Sequence, residues 1–104
     1  MRLLLISNST MPGEPYLGYP MPEIAKFLGN QPLKTLFIPF AAVTFSFDTY
    51  ETKVMERFAA LNHPLTSIHH AKNYAKAVNE AEAIVVGGGN TWQLVRMMND
   101  TGLF

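Results

Sequence analysis

The fold of this chain is decided by the stretch Ala83-Ile84-Val85-Val86-Gly87-Gly88-Gly89-Asn90-Thr91-Trp92-Gln93-Leu94. A short apolar run, typical of a buried strand, stops at three glycines, and a helical pattern begins directly afterwards. Glycine has no Cβ, so the backbone can turn sharply here and approach a ligand closely. Asn90 or Thr91 can cap the helix, whose first N–H groups would face the same space. The stretch predicts a strand–loop–helix corner that accommodates negative charge.

The same alternation of apolar runs and amphipathic segments extends over the whole chain. Apolar runs predict four strands, and apolar residues at helical spacing predict four helices, the second with a capping-box-like start at Asp48 and Glu51. The predicted strands are Leu3–Ser7, Thr35–Pro39, Pro64–His69 and Ala83–Val86, and the predicted helices are Met21–Gly29, Asp48–Asn62, Asn73–Glu80 and Thr91–Asn99. Repeated strand–helix units indicate an α/β fold, a parallel sheet with helices on both faces. We expect residues 1–104 to form a single domain of about four strands.

Ligands of such sheets bind beyond the carboxyl ends of the strands. Three predicted loops lie at that edge, Asn8–Pro20, Phe40–Phe47 and Gly87–Thr91, and all are rich in turn-forming or polar residues. This edge is therefore where the sequence predicts a functional site, although a glycine run that only makes a tight turn is the simpler alternative.

Composition excludes several classes of function. Eight basic residues balance eight acidic ones in 104 residues, so the charge excess of a nucleic-acid-binding protein is missing. The absence of cysteine excludes a disulfide scaffold, a thiolate metal site and a cysteine nucleophile. No apolar run has the length of a signal peptide core or of a membrane span. We expect a cytoplasmic protein without a nucleic-acid or membrane partner.

Known cofactor motifs do not fit the chain. A dinucleotide fingerprint starting at Gly87 needs a third glycine where Trp92 stands, and the P-loop pattern fails as well. His69 and His70 are adjacent in a predicted strand, where neighbours point to opposite faces, so they cannot converge on one ion without a bend. No acidic cluster lies beside them. The sequence therefore predicts no cofactor and no metal site. No serine stands in a G-x-S-x-G nucleophile elbow.

Three segments resemble one known family in order and spacing. They are Leu3–Gly13 (LLLISNSTMPG), Phe37–Thr44 (FIPFAAVT) and Ile84–Leu94 (IVVGGGNTWQL), and together they are similar to peptidase E, the α-aspartyl dipeptidase. The resemblance covers the whole chain, which corresponds to the N-terminal half of such an enzyme. It implies a flavodoxin-like fold related to the class I glutamine amidotransferases, here with an incomplete sheet.

The resemblance also implies a serine peptidase that hydrolyses dipeptides beginning with aspartate. Gly88, Gly89 and Asn90 would then supply backbone donors to the oxyanion, and Thr91 would cap the helix. Ser9 and Thr44 are predicted, from loop position, to line the substrate pocket. The nucleophile and the base of the family are expected beyond Phe104, so no catalytic residue is assigned within this chain, which we expect to be inactive alone.

Two other interpretations stay open. The chain could be a noncatalytic α/β module that holds a small anionic ligand at the Gly87–Thr91 corner. It could also act through an open sheet edge: without a following strand, Ala83–Val86 is an apolar edge that favours pairing with another chain. We therefore expect that the chain forms a homodimer or associates otherwise through Ala83–Val86, or that it needs the missing half of the enzyme.

Overall fold

The segment Thr35–Ile38 is the central strand of the sheet in a computed structural model that describes residues 2–6 and 13–103. These residues group into two compact units, one within residues 1–32 and one within residues 33–104. The prediction of a single domain stays a prediction. Among the described residues, no helix is both long and apolar enough to cross a membrane.

The first unit contains one helix, α1, at Met21–Leu28, which ends at Gly29 as predicted. Leu3–Ile6 form no strand, and Leu3 and Leu5 are 72% and 82% exposed, so the predicted strand Leu3–Ser7 is wrong over these residues. A strand needs a hydrogen-bonded neighbour, and the described part of this unit contains none. Ser7, the last residue of that prediction, lies outside the described residues.

The second unit contains the sheet. Strand β1 at Thr35–Ile38 pairs with β2 at Leu65–Ser67 on one side and with β3 at Ala83–Val86 on the other, both in parallel. The order β2-β1-β3 confirms the predicted parallel α/β class, with three strands in the described residues rather than about four. Strand β3 is an edge of this sheet, as predicted for Ala83–Val86.

Helices cover both faces of β1 because its side chains alternate between them. On one face, the ring of Phe37 packs edge-on against Tyr50 of helix α2, Phe47–Ala60, with centroids 4.9 Å apart. On the other face, Leu36 and Ile38 form a core with Phe40 and Ile68. Helices α3, Tyr74–Glu80, and α4, Thr91–Asp100, pack against this second core through partly buried apolar residues.

Helix α2 starts one residue earlier than predicted. The Ser46 hydroxyl accepts a hydrogen bond of 3.1 Å from the Thr49 N–H, which makes Ser46 the N-cap. Asp48, which the sequence suggested as the cap, lies inside the first turn. Serine and aspartate are both good N-caps, and here the extended backbone conformation at Ser46 makes that residue the cap.

Replacing Ser46 with alanine is expected to lower the free energy of unfolding by about 0.5–2 kcal/mol, the usual cost of losing such a cap. Ser46→Asp retains an acceptor oxygen and should remain within about 0.5 kcal/mol of the parent, as for an ordinary surface substitution. Urea unfolding of the three proteins measures the difference. If Ser46→Ala were as stable as the parent, the cap assignment would be wrong.

Strand β2 is shorter than predicted and ends at Ser67. Residues Ile68–His70 form a single 3-10 turn instead of continuing the strand. The turn changes the direction in which the His69 and His70 side chains project, and this brings them to the start of α2.

Candidate functional site

The glycine corner is fixed to the loop that follows β1 by two backbone hydrogen bonds. The Gly87 N–H donates to the Ile38 carbonyl at 3.0 Å, and the Asn90 N–H donates to the Ala41 carbonyl at 2.9 Å. The first bond continues the β1–β3 pairing by one residue, and the second ties the start of α4 to the β1–α2 loop. The corner therefore lies at the carboxyl ends of two neighbouring strands, where the sequence placed it.

Two of the three glycines are required by close contacts. A Cβ at Gly87 would lie 2.5 Å from the Tyr50 hydroxyl oxygen, and one at Gly89 would lie 2.5 Å from the Ala41 carbonyl oxygen. Gly89 also has a φ of +143°, a conformation that side chains disfavour. At Gly88 a Cβ would meet no atom within 4 Å. The corner thus combines two tightly packed positions with one open position between them.

Asn90, rather than Thr91, caps helix α4. The Asn90 Oδ1 accepts a hydrogen bond of 2.9 Å from the Gln93 N–H, and Thr91 is the first residue of the helix. The predicted capping role of Thr91 is therefore wrong, because the chain already has an extended conformation at Asn90 and the cap forms there. Thr91 itself is exposed at this helix start.

The side chain of Gln93 holds the corner from the helix side. Its amide nitrogen donates to the carbonyls of Phe40 at 2.7 Å and Ala42 at 2.8 Å. Both acceptors belong to buried residues of the β1–α2 loop, so one amide group uses both of its N–H bonds to satisfy them. No local sequence pattern predicts this contact, which joins positions more than 50 residues apart.

The second support comes from Tyr50 on α2, whose hydroxyl donates to the Gly88 carbonyl at 3.1 Å. That bond orients the Gly88–Gly89 peptide. Within the described residues, no hydrogen bond is recorded for the N–H groups of Gly88 and Gly89, and both residues are exposed. The Asn90 N–H, predicted as a third oxyanion donor, is instead bonded to Ala41. Two of the three predicted donors remain accessible.

The other two predicted pocket residues, Thr44 and Ser9, do not join the corner in the described part of the chain. Thr44 is exposed in the β1–α2 loop, and Ser9 lies outside the described residues. A cavity of about 270 Å³ elsewhere in the second unit is lined by residues of β1, β2, the 3-10 turn and α3, among them Thr66, Ser67 and His70. None of its lining residues belongs to Gly87–Thr91.

A second polar cluster, which we call the His–carboxylate cluster, consists of Asp48, Glu51, His69 and His70. The His69 Nε2 lies 2.7 Å from the Asp48 Oδ1, and the His70 Nε2 lies 2.7 Å from the Glu51 Oε1. The hydrogen bond with His69 lowers the pKa of the Asp48 carboxyl. The predicted strand over His69 and His70 is wrong: a 3-10 turn supplies the bend without which the two side chains could not converge. The expectation that no acidic cluster lies beside them is also wrong, because both histidines face the carboxylates at the start of α2.

Ser67, His69 and Asp48 have the residue types of a serine-hydrolase triad, but the serine is buried. The Ser67 hydroxyl is hydrogen-bonded to the His69 Nδ1, and His69 contacts Asp48 through Nε2. Ser67 is only 2% exposed, and this burial disfavours attack by its hydroxyl on the carbonyl of a bound substrate. Its backbone N–H also donates to the Glu51 Oε2 at 2.8 Å. Ser67 therefore positions the neighbouring side chains.

An open parallel sheet with a glycine corner at the carboxyl end of β3 defines an α/β protein of the flavodoxin-like class, with its candidate site at the edge typical of that class. Residues 3–104 match the model of the family described as Peptidase family S51. The chain belongs to this family, which confirms the resemblance inferred from the three sequence segments.

Curated relatives share nearly half of their aligned residues with the chain. Peptidase E of Nostoc sp. is 45% identical over 102 residues, which cover 98% of this chain and 42% of the relative. Peptidase E of Salmonella newport and Peptidase E of Salmonella typhimurium are each 45% identical over 103 residues, which cover 99% of this chain and 44% of each relative. The chain thus spans less than half the length of these relatives.

Proposed function

We propose that the protein containing this chain hydrolyses dipeptides that begin with aspartate, by acyl transfer through a serine. In this proposal the N–H groups of Gly88 and Gly89 stabilise the negative charge that develops on the substrate carbonyl oxygen. The observation that carries the proposal is the pair of exposed amides, without a recorded partner in the described chain, at a corner supported on both sides. Membership of peptidase family S51 supports the reaction class.

Rigid placement is what makes such amides effective. Donors aimed in advance at the oxyanion need no reorganisation during the reaction, and removing one typically costs about 2.7–4 kcal/mol of transition-state stabilisation. Tyr50 fixes the peptide from the α2 side, and Gln93 fixes the adjoining loop from the α4 side. Both supports lie on helices, so the corner does not depend on loop residues alone for its position.

The attacking serine and the general base are proposed to lie outside the residues matched here. The relatives have more than twice the aligned length, which leaves room for both groups. Ser67 is buried, and this supports the same conclusion from within the chain. Ser9, Thr44 and Thr91 remain proposals as residues that line the substrate pocket.

The full-length gene product is expected to cleave Asp-Leu at a rate that rises with enzyme concentration, and to cleave the near-isosteric Asn-Leu at least about 10-fold more slowly. The 104-residue chain alone is expected to show no turnover above background. Release of free leucine, followed by chromatography, measures all three reactions.

Two outcomes would count against the proposal. Turnover of Asp-Leu by the pure 104-residue chain would place the nucleophile within it. Equal rates for Asp-Leu and Asn-Leu would remove the specificity for an N-terminal aspartate while leaving the peptidase reaction itself intact.

The exposed amides of Gly88 and Gly89 also favour a second candidate, a noncatalytic module that binds a small anion at the corner. Calorimetry of the 104-residue chain with aspartate and with phosphate distinguishes the two. Saturable binding, combined with no peptidase activity in the full-length product, would favour the module. Association through Ala83–Val86 is a separate proposal, which a monodisperse monomer in light scattering would contradict.

A further inference from the structure

The His–carboxylate cluster brings four metal-binding side chains together from two elements. Asp48 and Glu51 are three residues apart in the first turns of α2 and so share one face of the helix. His69 and His70 lie on the 3-10 turn that follows β2. One donor atom from each of the four lies within 4.8 Å of every other. Because β1 and β2 are parallel, the elements after their carboxyl ends meet at one edge of the sheet.

Ser67 orients two of these donors from behind. Its hydroxyl is hydrogen-bonded to the His69 Nδ1, which leaves the Nε2 directed at the Asp48 carboxylate. Its backbone N–H holds the Glu51 Oε2, which leaves the Oε1 directed at His70. Histidines that bind metal ions typically have their other ring nitrogen hydrogen-bonded in this way, which fixes the tautomer and the ring direction.

We propose that Asp48, Glu51, His69 and His70 bind one divalent transition-metal ion, with Zn²⁺ as the best fit. Two imidazole nitrogens and two carboxylate oxygens form a four-ligand set suited to tetrahedral zinc, whereas Ca²⁺ and Mg²⁺ prefer oxygen ligands throughout. The two carboxylates also balance the charge of the ion. This site does not depend on the proposed peptidase activity.

The distances are compatible with that geometry. Bonds of about 2.0–2.2 Å to a tetrahedral ion place the ligand atoms about 3.3–3.6 Å from one another. The observed separations run from 2.7 Å in the two hydrogen-bonded pairs, through 3.7 Å between the His70 Nε2 and the Asp48 Oδ1, to at most 4.8 Å. Entry of an ion requires shifts of roughly 1 Å, within the range that side-chain rotation provides.

Two side chains of the cluster are exposed and two are nearly buried, and this arrangement permits entry of an ion. The side chains of Asp48 and His70 are 76% and 55% exposed, so an ion can approach from solvent. The side chains of Glu51 and His69 are only 10% and 16% exposed, and both are held by Ser67. Two fixed inner ligands and two accessible outer ligands form the site, and the bound ion would fasten α2 to the turn after β2.

The test is a metal titration of tag-free, chelator-treated 104-residue chain, repeated on the full-length product. Zn²⁺ is titrated in competition with a chromogenic chelator, and Co²⁺ is added separately because its tetrahedral complexes absorb strongly in the visible range. We expect one ion per chain and the strong absorption of tetrahedral cobalt. Substoichiometric Zn²⁺ binding, or only the weak absorption of octahedral cobalt, would overturn the proposal and leave the cluster as hydrogen-bonded ion pairs.

Variants locate the site. His70→Gln and Asp48→Asn change exposed side chains, and each is expected to weaken Zn²⁺ binding by more than about 10-fold, since losing even an outer partner of a ligand costs about 10–100-fold. Glu56→Gln removes an exposed carboxylate from the same helix outside the cluster and should leave the affinity unchanged. Unchanged binding in both cluster variants would overturn the assignment. If a variant failed to fold by circular dichroism, the stoichiometry and cobalt spectrum of the parent would still decide.

Discussion

Replacing Gly89 with alanine is expected to reduce kcat/KM of the full-length protein for Asp-Leu by at least about 100-fold, the scale of losing an oxyanion donor. The new Cβ would lie 2.5 Å from the Ala41 carbonyl oxygen, at a φ of +143°. The peptide must shift to relieve this contact, and the two amides then leave their positions. The same strain should lower the free energy of unfolding by about 1–3 kcal/mol.

Gly88→Ala is the matched control, one residue away in the same loop. Its Cβ would meet no atom within 4 Å, so the unfolding free energy should change by no more than about 0.5 kcal/mol. The loss of kcat/KM should also be smaller than for Gly89→Ala. Steady-state kinetics and urea unfolding compare the two variants with the parent. Equal losses in both variants would mean that close packing at Gly89 does not hold the amides in place.

The second large effect is expected at Gln93. Glutamate at this position would direct a carboxylate oxygen at the carbonyls of Phe40 and Ala42, which now receive both N–H bonds of the amide. Each buried carbonyl left without a donor costs about 1–3 kcal/mol, so the loss of both donors in Gln93→Glu should lower the unfolding free energy by about 2–6 kcal/mol. The change should be visible as a lower urea midpoint.

Gln93→Met separates the loss of the two hydrogen bonds from the added charge. Methionine has a similar length and retains the backbone N–H that Asn90 caps, but it cannot donate. It should be destabilised less than Gln93→Glu, because no negative charge faces the carbonyls. If Gln93→Glu unfolded at the same midpoint as the parent, the amide would not be the support that the structure indicates.

The fold class could be predicted because it follows from local patterns. Apolar runs of four or five residues marked β1 and β3, and β3 was predicted with the bounds that the structure has. The run Leu3–Ile6 is also apolar but has no strand neighbour among the described residues of its unit, which shows that an apolar pattern alone does not make a strand. Whether an apolar segment forms a strand depends on its pairing partner, and the sequence of the segment does not identify that partner.

The supports of the glycine corner could not be predicted in the same way. The contacts of Gln93 with Phe40 and of Tyr50 with Gly88 link residues 53 and 38 positions apart. Nothing near these residues in the sequence identifies their partners. The glycines signalled a corner, but which amides stay accessible depends on where Ala41 meets Asn90.

The His–carboxylate cluster was missed because the end of β2 was misplaced by two residues. Two histidines on a strand diverge, whereas on a 3-10 turn their ring centroids lie 3.9 Å apart. A usable signal was present: Asp48 and Glu51 share a helix face, and the elements that follow parallel neighbouring strands meet at one edge. Combining those two facts would have placed the carboxylates beside the histidines.

The packing of Tyr50 on Gly87 constrains how this sequence can diverge. A methyl group at position 87 would overlap the phenol ring of Tyr50. That ring packs against the rings of Phe37 and Phe45. A homologue can therefore acquire a side chain at position 87 only together with a smaller residue at position 50. That exchange would leave a hole between the two phenylalanines and remove the hydroxyl that anchors the Gly88 carbonyl. A side chain at position 87 therefore depends on an earlier or simultaneous change at position 50.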